Sequence, residues 1–253
     1  MEIHIDLTPP PSASERTNAT APTSVVSVVV DVLRAGTITA RLLERGADAV
    51  LLTSSVRAAR QRAAARGALL VGDVGGVPPE GFNHAATTAS VRSIECADRS
   101  VVLLTDDAPH ALATARSRCV LAGLVNAVAV VEAVMASDPA TINVVCAGEH
   151  GEPDLADAIA AGLLVSLFER AARERGDVGI SVTGATRFCL SVLRTAKDPL
   201  DGIWASSAGS DLRAFGLEEE VAAASEIATS DVVPLVDDVD HAFGRPIVRL
   251  VRM

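Results

Sequence analysis

Apolar residues fall along this chain in short unbroken blocks, separated by polar segments of helical composition. SVVSVVVDV (24–32) is a continuous β-branched run, the pattern of a strand covered on both faces. ADAVLLT (47–53), ALLVG (68–72), RSVVLLT (99–105), CVLAG (119–123) and TINVVCAG (141–148) repeat the pattern, and residues 2–7 read as one more short strand. Helices are expected over about 36–45, closed by Gly46, and over 55–66, capped by Ser54 or Ser55 and ended by Gly67. Others are expected from about Pro109, over 126–136 and over 154–174. Residues 8–24 are rich in Pro, Ser, Thr and Ala and read as an irregular loop. The stretch 73–98 breaks the rhythm; a connection of that length inside a compact domain is often a functional loop. Beyond residue 176 the pattern loosens into helices near 185–195, 207–215 and 217–228, then strands at 232–236 and 246–251.

Alternation of this kind predicts an α/β fold, three-layer α/β/α, with a largely parallel or mixed sheet. The reading is a single domain over 1–253, with a smaller C-terminal subdomain from about 177 as the other option. A chain of 253 residues is long enough to bury a large core.

Composition narrows the function classes. Hydrophobic residues make up 49% but aromatics only 2%, with five Phe, one Trp and no Tyr. The core is therefore aliphatic, no tyrosine can act as an acid, and a base-stacking platform is excluded. The formal charge of −10 argues against nucleic acid or an anionic membrane as partner. Lys197 is the only lysine, and no motif surrounds it. The four cysteines (Cys96, Cys119, Cys146, Cys189) form no CxxC pair, which excludes a zinc knuckle. The opening MEIHIDLTPP lacks a signal-peptide pattern, and no apolar run reaches the length of a membrane span. A cytoplasmic protein with reduced thiols is the expectation.

In open α/β sheets ligands bind beyond the C-terminal strand ends, so the residues that follow each strand are the candidates. They include Asp31 and Arg34, then Asp73, then Thr105-Asp106-Asp107, then Asn126. The last set is Cys146-Ala147-Gly148-Glu149-His150, with Asp154 and Asp157 in the helix behind it. Converging carboxylates can hold a hard cation such as Mg²⁺, and an arginine among them can grip an oxyanion. Each Asp taken singly is more readily an N-cap, and Cys146 more readily a small buried apolar side chain. His150, in a glycine-flanked loop, is the one histidine placed near a site. There is no GxxxxGK[ST] and no GxSxG; the position six residues after Cys146 is Glu152, where a cysteine phosphatase needs Arg. Asp238-Val239-Asp240 has aspartyl-phosphate spacing but no buried strand of the expected order before it.

Five segments in order resemble the 2-phosphosulfolactate phosphatase family of the coenzyme M pathway. VVVDVLRAGT (28–37) is similar to its D-V-x-R-A-[ST]-T signature, and VGDVGGVPPEGFN (71–83) to its G-E…G-F region. VVLLTDDAPHAL (101–112), VLAGLVNAVAVVEAV (120–134) and INVVCAGEHGEPDLADAIAAGLLV (142–165) follow at matching places. The chain departs from the family at Ala85–Thr88, at Asp106–Pro109, at Asp73 for Glu and at Ala156 for Glu.

The resemblance implies an α/β/α, Mg²⁺-dependent phosphatase, a phosphoric monoester hydrolase whose substrate is 2-phosphosulfolactate or a related phosphorylated hydroxy acid. It implies Asp31, Arg34 and Asp157 as catalytic residues and Asp31, Asp73 and Asp157 as metal ligands. Thr37, Thr105, Asn126, Cys146 and Gly148 would line the substrate pocket, with backbone N–H groups around Ala35-Gly36-Thr37 adding to the anion grip. The partner would be a small anionic phosphorylated substrate, without nucleic acid or membrane, and the Ala/Val-rich helices can pack into a homodimer. The alternative function is a non-catalytic small-anion-binding or interaction homologue on the same scaffold.

Overall fold

The computed structural model describes all residues except 11–23, 116, 178, 196 and 197. Most of the expected 8–24 loop, and Lys197, therefore lie outside the described residues. The strands are β1 Glu2–Asp6, β2 Val25–Val30, β3 Ala49–Thr53, β4 Leu69–Val71, β5 Ser100–Leu104, β6 Arg118–Ala122, β7 Thr141–Cys146, β8 Ser181–Val182, β9 Pro234–Ala242 and β10 Arg245–Arg252. The helices are α1 Thr37–Glu44, α2 Val56–Arg66, α3 Thr88–Ser93, α4 Ala108–Thr114, α5 Ala127–Ala136, α6 Leu155–Glu174, α7 Gly184–Thr195, α8 Pro199–Trp204, α9 Ser207–Ala214 and α10 Glu218–Ala224. A wide turn, Val32–Gly36, joins β2 to α1.

The ten described strands form one mixed sheet in the order β4-β5-β3-β10-β9-β6-β2-β7-β1-β8. Its two flanks are parallel: β4-β5-β3 on one side and β6-β2-β7-β1-β8 on the other. The hairpin β9–β10 runs antiparallel between them, pairing β10 with β3 and β9 with β6. Expected strand 232–236 is thus the start of a longer strand. Residues 237–242, DDVDHA, carry no apolar block because they are largely exposed and pair with β10 alone. The loop expected over 73–98 contains the short helix α3, whose N-cap Thr87 accepts from Ser90 N–H at 3.1 Å. Helix α8, also unexpected, is capped by Asp198, whose side chain accepts from Leu200 N–H at 2.9 Å.

Strand pleating divides the core. Val26, Val28 and Val30 of β2 face a cluster with α5 and α6, whereas Val29 faces a cluster with α1 and α4. A smaller cluster joins α2 to β3, β4, β5 and β10. Helices therefore cover both faces, which is why the parallel strands are apolar on both sides. Cys189, Ile203, Leu212 and Val221 from α7 to α10 belong to the same cluster as Phe168 of α6, so the C-terminal helices pack on α6. Gly162 permits this close approach: a Cβ there would lie 2.5 Å from the Cys189 carbonyl oxygen. No helix among the described residues is long and apolar enough to cross a membrane.

Parallel register aligns the C-terminal ends of β2 and β7 within one flank and of β4 and β5 within the other, and residues that follow all four strands line one cleft. Phe168 is the largest fully buried side chain. Phe168→Ala is expected to lower unfolding free energy by about 3–5 kcal/mol, whereas Val239→Ala on the exposed hairpin stays within about 0.5 kcal/mol. Urea denaturation followed by circular dichroism measures both.

Candidate active site

The edge of the sheet opens into a cleft of about 270 Å³. Its floor is the wide turn after β2. Asp31 precedes the turn, and its Oδ1 accepts from Ala35 N–H at 2.9 Å. Gly36 is required here, because a Cβ would collide with the Asp31 carbonyl oxygen and sit 2.7 Å from that of Ala122. The back wall is the first turn of α6. Asp154 caps it, with Oδ2 accepting from Ala156 and Asp157 N–H at 2.8 and 3.3 Å. Asp157 uses both oxygens on loops from different strands: Oδ1 accepts from Val32 N–H at 2.9 Å and Oδ2 from Gly148 N–H at 3.0 Å.

These three carboxylates are buried together, with Asp31 6%, Asp154 6% and Asp157 3% exposed. Burial is the main reason that each is harder to ionise than an ordinary aspartate. Asp31 is pushed up to about 7, first by burial and then by the charges of Asp107 and Asp154, against the pull of Ala35 N–H and Arg34. Asp157 rises well above the usual range through burial and the neighbouring charges of Asp31 and Asp154. Asp154 also rises through burial, opposed by its backbone donors. One oxygen of Asp154, Oδ1, is buried with no hydrogen-bond partner among the described residues.

Arg34 points across the cleft to Asp73. Nη2 donates to Oδ1 at 2.7 Å and Nη1 to Oδ2 at 2.9 Å, and Nη1 also donates to the Ala86 carbonyl at 2.7 Å. Of the five guanidinium N–H donors, Nε–H and one on Nη2 stay available. The outer wall carries Thr105, Asp106 and Asp107 after β5, and Glu149 and His150 after β7. Asp107 Oδ1 accepts from His150 N–H at 3.2 Å, and burial raises Asp107 despite that bond. Glu149 is raised too, first by burial and then by Asp154 and Asp211.

Asp31, Arg34, Asp73, Thr105, Gly148 and Asp157 are brought together around the cleft. Thr37, Asn126 and Cys146 are not. Thr37 is 2% exposed and donates to the Val32 carbonyl. Asn126 is fully buried: its Oδ1 accepts from Gly123 N–H, and its Nδ2 donates to Leu121 and Val232 carbonyls. Cys146 is fully buried, and burial holds its thiol well above the usual range, so it is no nucleophile. Thr37 and Asn126 spend their polar groups on backbone partners, and Cys146 is part of the apolar core. Asp73, expected as a metal ligand, is instead Arg34's partner through both oxygens. The amides expected to grip an anion are also engaged: Ala35 N–H with Asp31 Oδ1, Gly36 N–H with the Asp31 carbonyl, and Thr37 N–H with that of Arg34.

Two further features escaped the sequence. In the sequence Asp154 is among the strand-end carboxylates but is not singled out as a site residue, and no sequence pattern marks its unpartnered Oδ1. Helix α9 supplies Ala208, Asp211 and Leu212 to the cleft, and Phe215 just beyond it packs on Gly76 of the loop after β4. The short polar helices of that region carry no motif.

A pH signature follows for the protein free of metal. Between the ordinary aspartate range and about 7 the folded state holds a proton on Asp31 that the unfolded chain has released. Stability therefore falls as pH rises through that window, and the loss is complete above about 7. Asp31→Asn removes the ionising group, so the variant is expected to be more stable than the parent at pH 8 and nearly equal to it at pH 4. Denaturant titrations with chelator present at both pH values check the sign.

Comparison with known proteins bears on this cleft. A family model described as 2-phosphosulpholactate phosphatase matches residues 12–239. A relative from Deinococcus radiodurans named "Probable 2-phosphosulfolactate phosphatase" is 35% identical over 221 residues, covering 85% of this chain and 90% of the relative. One of the same name from Thermus thermophilus is 32% identical over 215 residues, 83% of this chain and 87% of the relative. A third from Thermotoga maritima is 30% identical over 173 residues, 68% and 73% of the two chains. The aspartates at the ends of β2 and β4, Arg34 and the first turn of α6 all lie inside the matched span, and the chain belongs to the 2-phosphosulpholactate phosphatase family.

Proposed function

We propose that the cleft hydrolyses a small phosphate monoester in a Mg²⁺-dependent reaction, with 2-phosphosulfolactate or a related phosphorylated hydroxy acid as substrate. Family membership supports the reaction class and the substrate. The observation that carries the metal is Asp154 Oδ1, a buried oxygen without a hydrogen-bond partner among the described residues, in a cleft that also contains Asp31 and Asp157.

A hard cation suits this donor set, which is all oxygen and excessively negative. Among the described residues no three His, Cys, Asp or Glu side chains close up as a ready cage. Mg²⁺ does not need one, since it keeps several waters and takes one or two carboxylates. Asp31 and Asp154 would hold it: Asp154 Oδ1 is without a hydrogen-bond partner among the described residues, and the Ala35 N–H bond to Asp31 uses only Oδ1. Asp157 would orient them, its own oxygens being tied to Val32 and Gly148 N–H. When bound, the cation would offset phosphate charge and lower the pKa of a coordinated water.

The chain's own groups supply the rest. Arg34 is held rigid by Asp73 and Ala86, and its free Nε–H and Nη2 proton would take a phosphate oxygen as charge-assisted hydrogen bonds. Thr105 at the opposite wall would orient the ester. Burial raises Asp31 to about 7 without metal, and a cation held by Asp31 would favour its ionised form and relieve that burial cost. A non-catalytic anion-binding role gains no support here, because the strand-end amides are engaged and carboxylates dominate the cleft.

Phosphate release from 2-phosphosulfolactate should require Mg²⁺ and stop on chelation. Arg34→Ala, Asp31→Asn and Asp154→Asn should each lower kcat/KM by about 100-fold or more while remaining folded. Absence of metal-dependent phosphate release, or full activity in Asp154→Asn, would sink this reading.

A further inference from the structure

A second cavity of about 330 Å³ opens between α1, α3 and α10 and shares no lining residue with the catalytic cleft. Arg41 lines it from α1 and Arg45 from the C-cap position of the same helix. Arg92 lines it from the last turn of α3, and Val91 and Ala223 form apolar wall.

The three arginines are not equivalent. Arg41 is neutralised: it bonds to Glu44 at 2.9 Å, Glu226 at 3.1 Å, and the Thr229 hydroxyl and carbonyl at 2.7 and 3.2 Å. Those two glutamates are the acidic residues of the lining, and both belong to Arg41. Among the described residues Arg45 has no carboxylate partner; its Nε and Nη2 converge on one carbonyl, that of Ile94, at 3.1 and 3.0 Å. Arg92 has no hydrogen bond or ion pair among the described residues. Thr88 offers no competing donor, since its N–H and hydroxyl both go to Glu220. Two arginines without a counter-charge among the described residues thus line one cavity, in a protein whose formal charge is −10.

We propose that this cavity is a second binding site, for a compact oxyanion bearing a carboxylate, phosphate or sulfonate group, held between Arg45 and Arg92. Guanidinium matches such groups through paired N–H donors, and the volume is that of a small-ligand pocket. Val91 and Ala223 take the ligand's carbon body. The walls are also the elements that frame the catalytic turn. Helix α1 continues directly from Val32–Gly36, and Ala86, just before α3, accepts from Arg34. Glu220 of α10 fixes the start of α3. An anion that draws α3 toward α1 therefore acts on the turn that carries Arg34.

The test is calorimetric titration of the full chain with inorganic sulfate, which is neither substrate nor product. An Arg34→Ala background weakens the catalytic cleft's own hold on anions. Sulfate is expected to bind this Arg34→Ala chain, and Arg45→Ser with Arg92→Ser added should weaken that binding at least about tenfold. Arg92→Ser alone removes no internal contact and serves as the folded variant if the combined one fails to fold; it should weaken binding in the same direction. Replacing both residues by Lys should retain part of the affinity. Loss of all sulfate binding in Arg34→Ala, or binding that survives removal of Arg45 and Arg92, overturns the proposal.

Discussion

Two backbone N–H groups from loops at the ends of different strands meet on the one buried carboxylate of Asp157. That double acceptance sets the distance between the turn after β2 and the loop after β7, and with it the shape of the cleft. It also fixes where the first turn of α6 must lie, so Asp154 is delivered to the same place. The helix N-terminus and the amides make one negative charge tolerable there. They do not make three tolerable, and burial of Asp31 beside the pair leaves the cluster short of positive charge. A proton meets that need when the site is alone; a divalent cation meets it better and adds Lewis acidity.

Arg34 is the other half of this balance. Its bond to Asp73 costs the site one of its few cations, yet it locks a flexible side chain into a single orientation. The free N–H donors are then aimed before any anion arrives, which is what electrostatic preorganisation requires. The pairing explains how one arginine can serve a cleft so rich in carboxylates: little of its binding energy is lost to ordering the side chain.

The parallel strands and the edge on which the site sits were legible because buried strands leave unbroken apolar blocks and because strand ends carry function in such sheets. The direction of each side chain was not legible. Asn126 and Thr37 follow strands just as Asp31 does, but they turn back to satisfy carbonyls that no pattern announces. The amides of Ala35 and Gly36 looked available because a helix begins there; their partners lie in Asp31, through a turn whose shape is not written in composition. Asp154 looked like an ordinary cap, which it is with one oxygen only. The central hairpin was half seen, since its outer part is solvated on both faces and has no apolar face to betray it.

That hairpin sets the order in which the molecule can be made. Residues 234–252 are synthesised after every other strand, yet they occupy the middle of the sheet and join its two parallel flanks. Until they emerge, β3 and β6 each lack the strand that pairs with one of their edges. Exposed edges of that kind recruit other chains. The architecture trades early, piecewise folding for closure in a last step of high contact order, and the nascent chain is most exposed to misassembly just before that step.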